Sequence, residues 1–181
     1  MLQNHLTAAE VKSLLRLQPH PREGGWYVRT YEAAETLAPH LFDDRRYNGL
    51  RRMSTAIYYL LEPGTFSEMH MLLSDEVFHH YAGDPVEMLQ LLPDGSSRRV
   101  HIGKDLRAGQ HPQLVVPRGI WQGSRLERFA QVAKNDAAHW ALLGCTVSPG
   151  FEFSDYRTGH RADLVSRWPA EADLITALTR H

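Results

Sequence analysis

His70 and Glu76 are the two residues of this chain whose types and spacing could move a proton. A carboxylate that orients an imidazole gives a general acid or base of useful strength near neutral pH. The pair lies in Gly64-Thr65-Phe66-Ser67-Glu68-Met69-His70-Met71-Leu72-Leu73-Ser74-Asp75-Glu76-Val77-Phe78-His79-His80-Tyr81-Ala82-Gly83. His70 closes one expected strand and Glu76 opens the next, so a short turn brings the two side chains together. Such a pair suits removal of a proton next to a carbonyl, as in isomerisation or epimerisation of a sugar. The same two groups could instead satisfy each other inside a core, or hold a ligand without turning it over. Alternation along a strand puts Glu76, Phe78 and His80 on one face and Val77, His79 and Tyr81 on the other. The two histidines cannot share a pocket unless a bulge intervenes.

Other residues carry weaker signals. Trp121 could stack on a planar ligand or simply pack, and Gln122 and Gln113 could bond a ligand or strand backbone. Of Tyr58 and Tyr59, alternation turns one inward, where a ring filling the core is the expected use. Ser67 has no nucleophile-elbow motif around it, so a serine-hydrolase role is not expected. His20, between Pro19 and Pro21, faces a pocket mouth or caps the N-terminal helix. Arg51 and Arg52 could receive an anion, but read first as part of a solvated loop. Cys145 is the lone cysteine and sits in an apolar strand, where it reads as a small buried hydrophobe.

The elements that must position these residues are mostly short strands. Thr7 and Glu10 form a capping-box pattern, which predicts a helix from about Thr7 to Leu17, stopped by Pro19. Gly24-Gly25 precede the strand-like run Trp26 to Tyr31. Residues 33–50 read as an exposed loop. Strands are expected over Ser54–Glu62, Glu76–Tyr81, Val86–Leu92, Ser97–Ile102, Gln113–Val116, within Trp121–Val132 and over His139–Val147. Pro93-Asp94-Gly95-Ser96 signals a hairpin, Lys134-Asn135-Asp136 a turn, and Asp173–Leu178 a helix. Many strands with Gly/Pro punctuation and terminal helices predict an all-β sandwich or barrel. No βαβ pattern or phosphate-binding glycine loop is present.

Several segments together resemble the cupin superfamily. Gly64, His70, Glu76 and Gly83 stand at the spacing of the first cupin motif, with Leu72 in place of its second histidine. A second motif is recognisable around Gly109 and Pro117-Arg118-Gly119-Ile120-Trp121-Gln122, with Gln122 in place of its histidine. The chain is more closely similar to the DUF985, or Cupin_5, family. That likeness is carried by Pro19-His20-Pro21-Arg22-Glu23-Gly24-Gly25, Thr55 to Leu61, Ser67 to His70, Asp75-Glu76, Gln113 to Pro117, Trp121-Gln122 and Ser148 to Phe153. It covers about residues 14–169. It leads us to expect Glu where Arg29 stands, so a carboxylate role there is lost. Ser148 to Phe153 is read as structural, with its aromatics closing a barrel end or meeting a second copy.

The resemblance implies a cupin-type jelly-roll β-barrel with short N- and C-terminal helices and a homodimer. We expect one domain over 1–181 with its barrel core at about 24–155. A standard cupin holds Fe, Mn, Ni or Zn with three imidazoles and a carboxylate. Here His70 and Glu76 remain, Leu72 cannot ligate, Gln122 is a weak amide donor, and His80 adds a third ligand if it turns inward. Two good ligands bind a divalent ion poorly, so no cofactor is expected; a divalent metal, if one binds, would sit on His70, Glu76 and Gln122.

Composition narrows the classes. The 181 residues carry a formal net charge of −1, and 43% are hydrophobic. No basic field suits nucleic acid. The arginines outnumber the lysines, 17 to 3, which is most simply a GC-rich coding bias. A single cysteine fits a reducing compartment. No apolar run reaches the length of a membrane span, and Met1 to Glu10 lacks a leader pattern, so a cytoplasmic protein is expected. The reading is a small-molecule-binding cupin acting as a metal-independent isomerase or epimerase on a sugar- or nucleotide-like compound. His70 is its base and Glu76 the orienting partner, with Ser67, His80, Trp121, Gln122 and Tyr59 at the pocket. The alternatives are a metal-dependent, dioxygenase-like cupin and a non-catalytic sensor.

Overall fold

A computed structural model describes residues 6–42, 44–127 and 139–180. Within them the chain runs through α1 (Ala8–Leu15), β1 (Gln18–Pro19), β2 (Trp26–Glu32), β3 (Thr36–Leu37), β4 (Arg51–Arg52), β5 (Thr55–Leu61), β6 (Phe66–Met71), β7 (Asp75–Gly83), β8 (Val86–Leu91), β9 (Ser97–Ile102), β10 (Gln113–Val116), β11 (Trp121–Leu126), β12 (Ala141–Ser148), β13 (Arg157–Thr158), α2 (Arg161–Arg167) and α3 (Ala172–Ala177). The continuation expected from Trp121 to Val132, and the turn at Lys134-Asn135-Asp136, lie outside the described residues beyond Glu127.

Two antiparallel sheets face each other. One has the order β1-β2-β5-β12-β7-β10 and the other β13-β6-β11-β8-β9. From β5 to β12 the chain changes sheet at nearly every connection, which is the jelly-roll pattern. Alternation supplies the core. Tyr59, Leu61, Phe78, Leu143 and Cys145 point inward from the first sheet, and Val86, Met88 and Ile102 from the second. This packing fills one end of the space between the sheets.

The C-terminal helices cover the outer face of the second sheet, and α1 covers one end of the first. Met69, Leu89 and Leu91 meet Leu164 and Trp168 of the α2 region and Leu174, Ile175 and Leu178 of the α3 region. The sequence signals α3 but not α2, whose short stretch has one buried residue, Leu164. Helix α1 covers part of the first sheet, placing Val11 against Leu60 with Trp26 and Trp140. Its capping box forms as predicted, and Arg16 in a left-handed conformation ends it before Leu17. The loop over 33–50 contains β3, and β3 pairs with β4. No helix among the described residues is long and apolar enough to cross a membrane.

Candidate active site

A bulge in β6 builds the polar end of the molecule. Along β11, Gln122 pairs with His70 and Ser124 with Ser67, so the two residues Glu68 and Met69 face the single residue Gly123. A bulge re-aims the side chains around it. Residues three apart on a regular strand point to opposite faces, but here both Ser67 and His70 turn toward the space between the sheets. The bulged backbone finds partners elsewhere. Glu68 N–H donates to the Glu23 carbonyl at 2.8 Å and Met69 N–H to the Leu178 carbonyl at 2.8 Å.

The same bulge fixes the tautomer of His70. Its Nδ1 lies 2.7 Å from the Glu68 carbonyl oxygen, which can only accept. Nδ1 therefore carries the proton, and in the neutral ring Nε2 presents a lone pair. The ring stacks on Tyr156 at 4.8 Å and 15°.

The cavity beside His70 has a volume of about 420 Å³. Small-molecule sites span roughly 300–1,000 Å³. The first sheet contributes Tyr27, Arg29, Thr55, Ile57, Glu76, Cys145 and Val147, and the second side His70 and Leu72. Two loops complete it, one with His20 and Glu23, the other with Phe151, Glu152 and Phe153. Gly24 and Gly25 permit the first loop. Both have positive φ, +96° and +66°, and a Cβ on Gly25 would lie 2.8 Å from the Leu60 carbonyl oxygen. Only glycine lets the chain double back closely enough to bring His20 and Glu23 over the cavity.

These two residues hold each other. His20 Nδ1 accepts from the Glu23 N–H at 2.8 Å and the Arg22 N–H at 3.4 Å. Nε2 of the neutral ring therefore carries the proton, and it lies 3.9 Å from the Glu23 carboxylate. Burial depresses the His20 pKa, Glu23 opposes this, and His70 and Arg180 add to the depression. Glu23 also accepts from the Ser67 hydroxyl.

Glu76 lines the same cavity and is buried. Gln122 Nε2 donates to its Oε2 at 2.6 Å. Burial first, and then the Glu23 charge, raise its pKa to about 8, against the lowering contacts of Gln122 and Cys145. Near neutral pH Glu76 is a carboxylic acid and can donate a hydrogen bond. Burial, Glu76 and Glu23 push the Cys145 thiol well above its ordinary range, so it is no nucleophile.

Residues 9–159 match the family described as Cupin superfamily (DUF985), Cupin_5. The chain belongs to this family. An uncharacterised protein of Saccharomyces cerevisiae is 27% identical over 144 residues, covering 75% of this chain and 67% of its own. A crystal structure of a Shewanella oneidensis protein is similar at 30% identity and a TM-score of 0.80, covering 96% of this chain and 98% of that one. A hypothetical protein from Leishmania major is similar at 30% identity and a TM-score of 0.82, covering 97% and 99%. The jelly-roll expected from the motifs is the fold of this cupin.

The cupin motifs bring together only part of the expected site. His70 and Glu76 both line the cavity. They are not hydrogen-bonded to each other: the Glu68 carbonyl orients His70, and Glu76 is paired with Gln122. Gln122 is buried behind Glu76 and is not part of the lining, and Ser67 acts through Glu23. Tyr59 is fully buried and donates to the Gly24 carbonyl at 2.8 Å, bracing the glycine turn. Trp121 faces away from the cavity, toward Met69 and the C-terminal helices, because alternation sets it opposite to Gln122. His80 shares the inward parity of Glu76 but sits further along β7, where its Nε2 donates to the Asp84 carbonyl at 3.0 Å. The β7 bulge falls after it, at Tyr81, between the pairs Leu143–His80 and Leu142–Ala82. His79 lies on the outer face beside Thr146 and Tyr81.

Arg51 is not solvated. It is buried and grips Asp155 through Nε at 2.9 Å and Nη2 at 2.6 Å. Sequence reasoning passed over Glu23 as a site residue, although the run Pro19 to Gly25 was visible as a motif. Ionisable residues three apart before two glycines were the available signal.

The metal-binding pattern of many cupins does not fit these residues. Leu72 has no donor atom, the amide nitrogen of Gln122 faces Glu76, and Nε2 of His20 carries a proton. Among the described residues no group of three or more His, Cys, Asp or Glu side chains converges as a metal site.

Proposed function

We propose that this cupin binds a small sugar-like carbonyl compound in the cavity and acts as an isomerase or epimerase without a metal. The observation that carries the reading is the hydrogen bond from His70 Nδ1 to the Glu68 carbonyl, which leaves Nε2 of the neutral ring as the free lone pair of a residue that lines the cavity. In the proposed step Nε2 removes the proton from the carbon beside the carbonyl. The C–H electron pair becomes the enol double bond, and the carbonyl oxygen takes a proton from the Glu76 carboxylic acid. Returning the proton from His70 to the neighbouring carbon, and that of the other oxygen to Glu76, gives the isomer with no redox partner. Epimerisation needs a donor on the opposite face, and the Tyr27 hydroxyl is the candidate in the lining. A carboxylic acid kept neutral in an apolar site is an established way to stabilise an enolate.

His70→Ala is expected to lower turnover by about 10²–10⁴-fold, the usual contribution of a positioned base. Proton NMR in D2O checks this directly, since the step exchanges the carbon-bound proton with solvent. Unchanged exchange in a folded His70→Ala protein removes His70 from the role. A protein that binds sugars saturably but never exchanges their protons is a sensor.

We also propose that the molecule is a cytoplasmic homodimer that uses the outer face of the six-stranded sheet. The lack of charged side chains in the two central rows of that face supports the pairing, and the single buried cysteine fits a reducing setting.

A further inference from the structure

The polar side chains beside the cavity continue past Gln122. The register of the second sheet sets His70 of β6, Gln122 of β11, Gln90 of β8 and Arg98 of β9 in one row. The row lies on the inner face. Gln122 reaches Glu76 on the facing sheet, Gln90 follows the inward-facing Met88 by two residues, and Arg98 meets Gln90 side chain to side chain. The alternate residues Leu89, Leu91 and Arg99 point the other way, toward the C-terminal helical region.

A buried carboxamide is costly unless its donors and acceptor are used. Gln90 and Gln122 are both buried. A guanidinium can only donate, so Arg98 fixes which way Gln90 faces: its Nε donates to Gln90 Oε1 at 2.6 Å. Gln90 Nε2 then faces away from Arg98, and its contact is with the Met88 sulfur at 3.4 Å, a weak acceptor. Gln122, its direct cross-strand partner, has the complementary gap. Its Nε2 donates to Glu76, and its Oε1 is buried with no partner among the described residues. Opposed side chains on neighbouring strands have Cβ atoms about 4.5–5.5 Å apart. A side-chain rotation therefore brings the second N–H of Gln90 to Gln122 Oε1.

The orientation of Gln122 decides what Glu76 can do. With Nε2 toward Glu76, the carboxyl Oε2 accepts and the acid proton stays on Oε1. Turned over, Gln122 would present its own oxygen and take that proton in a hydrogen bond, leaving none for a ligand. We infer that Arg98 and Gln90 are positioning residues, which hold Gln122 with its nitrogen toward Glu76 and so keep the Glu76 proton available to the cavity. The inference rests on the reading of Glu76 as the acid of the site. Cys145 of β12, Glu23 of the glycine turn and Tyr156 also face Glu76, and His20, Arg29, His70 and Glu152 line the same cavity. All of these stay in place in the variants that test the chain of amides.

The test follows the Glu76 carboxyl carbon by 13C NMR through a pH titration in the wild type, Gln90→Leu and Arg98→Met. Deuterium exchange into sugars in D2O is measured alongside as a function of pH. In both variants Gln122 is free to turn its oxygen to the acid, which favours the protonated form. The Glu76 midpoint is expected to rise by about one pH unit. Exchange slows by at least about tenfold at pH 7, and its upper limb moves to higher pH with the midpoint. Arg98→Lys, which keeps a donor and the charge, lies nearer the wild type. On a Gln122→Leu background neither change moves the midpoint further, which separates the amides from the charge of Arg98. Arg98 is exposed at the sheet edge, so Arg98→Met decides the matter if Gln90→Leu does not fold. A midpoint that stays put in the folded variants overturns the inference, whatever the reaction. So does a shift that persists on the Gln122→Leu background, or exchange that is unchanged where the midpoint has moved. A shifted midpoint in a protein whose wild type exchanges no sugar proton keeps the positioning and removes the isomerase.

Discussion

Glu76 ties the chemistry of the cavity to the stability of the fold. Its pKa in the folded chain is about 8, above the ordinary 4.5 of a free side chain. Below pH 4.5 both folded and unfolded chains hold the proton. Between 4.5 and about 8 the unfolded chain has lost it and the folded chain keeps it. Stability therefore falls as pH rises through this window, by up to about 1.4 kcal/mol per pH unit, and levels off above it. Glu76→Gln keeps the shape and removes the titration. Urea unfolding at pH 5.5, 7 and 8.5 should show the variant gaining on the wild type as pH rises. Parallel stabilities across the three values would mean that Glu76 is ionised throughout and cannot serve as the acid. The proposed reaction has the same dependence: turnover that needs the acid falls above about pH 8.

At the scale of elements, the β6 bulge and the last helix work as one support. Arg180, just beyond α3, donates from its backbone N–H to Glu68 Oε1 at 3.0 Å and from Nη1 to Oε2 at 2.9 Å. The same Nη1 reaches the Arg22 carbonyl at 2.7 Å. One side chain thus holds both the bulge that orients His70 and the loop that carries His20 and Glu23. Arg180→Ala leaves a buried carboxylate short of partners, at a cost of about 1–3 kcal/mol. The variant is expected to unfold at lower urea and, while still folded, to bind sugars more weakly. Arg180→Lys restores charge but not the fork, so its recovery is partial. Stability lost with sugar affinity unchanged would make the contact merely structural. The sequence made β7, β8, β9 and β10 legible through alternation and turn residues, and α1 through its capping box. It could not show the β6 bulge, because no local residue type demands one and its backbone partners lie at Glu23 and Leu178, far along the chain. The parity of Ser67 and His70, and the replacement of Glu76 by Glu68 as the orienting group, follow from that bulge. Glu76 and His70 were readable as cavity residues because their motif is local. Glu23 was not, because its role comes from folding a glycine turn across to β6.

For the whole molecule, the outer face of the six-stranded sheet is the surface that needs an occupant. Tyr31, Ala56, Thr146, Val77 and Val115 lie side by side across β2, β5, β12, β7 and β10. The adjoining row is Val28, Tyr58, Gly144, His79 and Gln113. Neither row has a carboxylate, lysine or arginine. Tyr31 is 54% and Val115 49% exposed, whereas α1 covers the end of the sheet around Leu60 and Trp26 and reaches Val28 and Tyr58 of the second row. A broad uncharged sheet face is uncommon on a monomer and suits a self-complementary contact. Light scattering should therefore give twice the 20.7 kDa mass of the chain. Thr146→Lys places a charge in the middle of the rows, and a two-fold axis through that region sets it against its own copy. The variant is expected to give the monomer mass with an unchanged circular dichroism spectrum, since the Thr146 side chain faces outward and the cavity lies on the other face. A monomeric wild type at working concentration would overturn the pairing. A dimer that survives both Thr146→Lys and Val115→Lys would move the contact to another surface, such as the edge of the six-stranded sheet at β10.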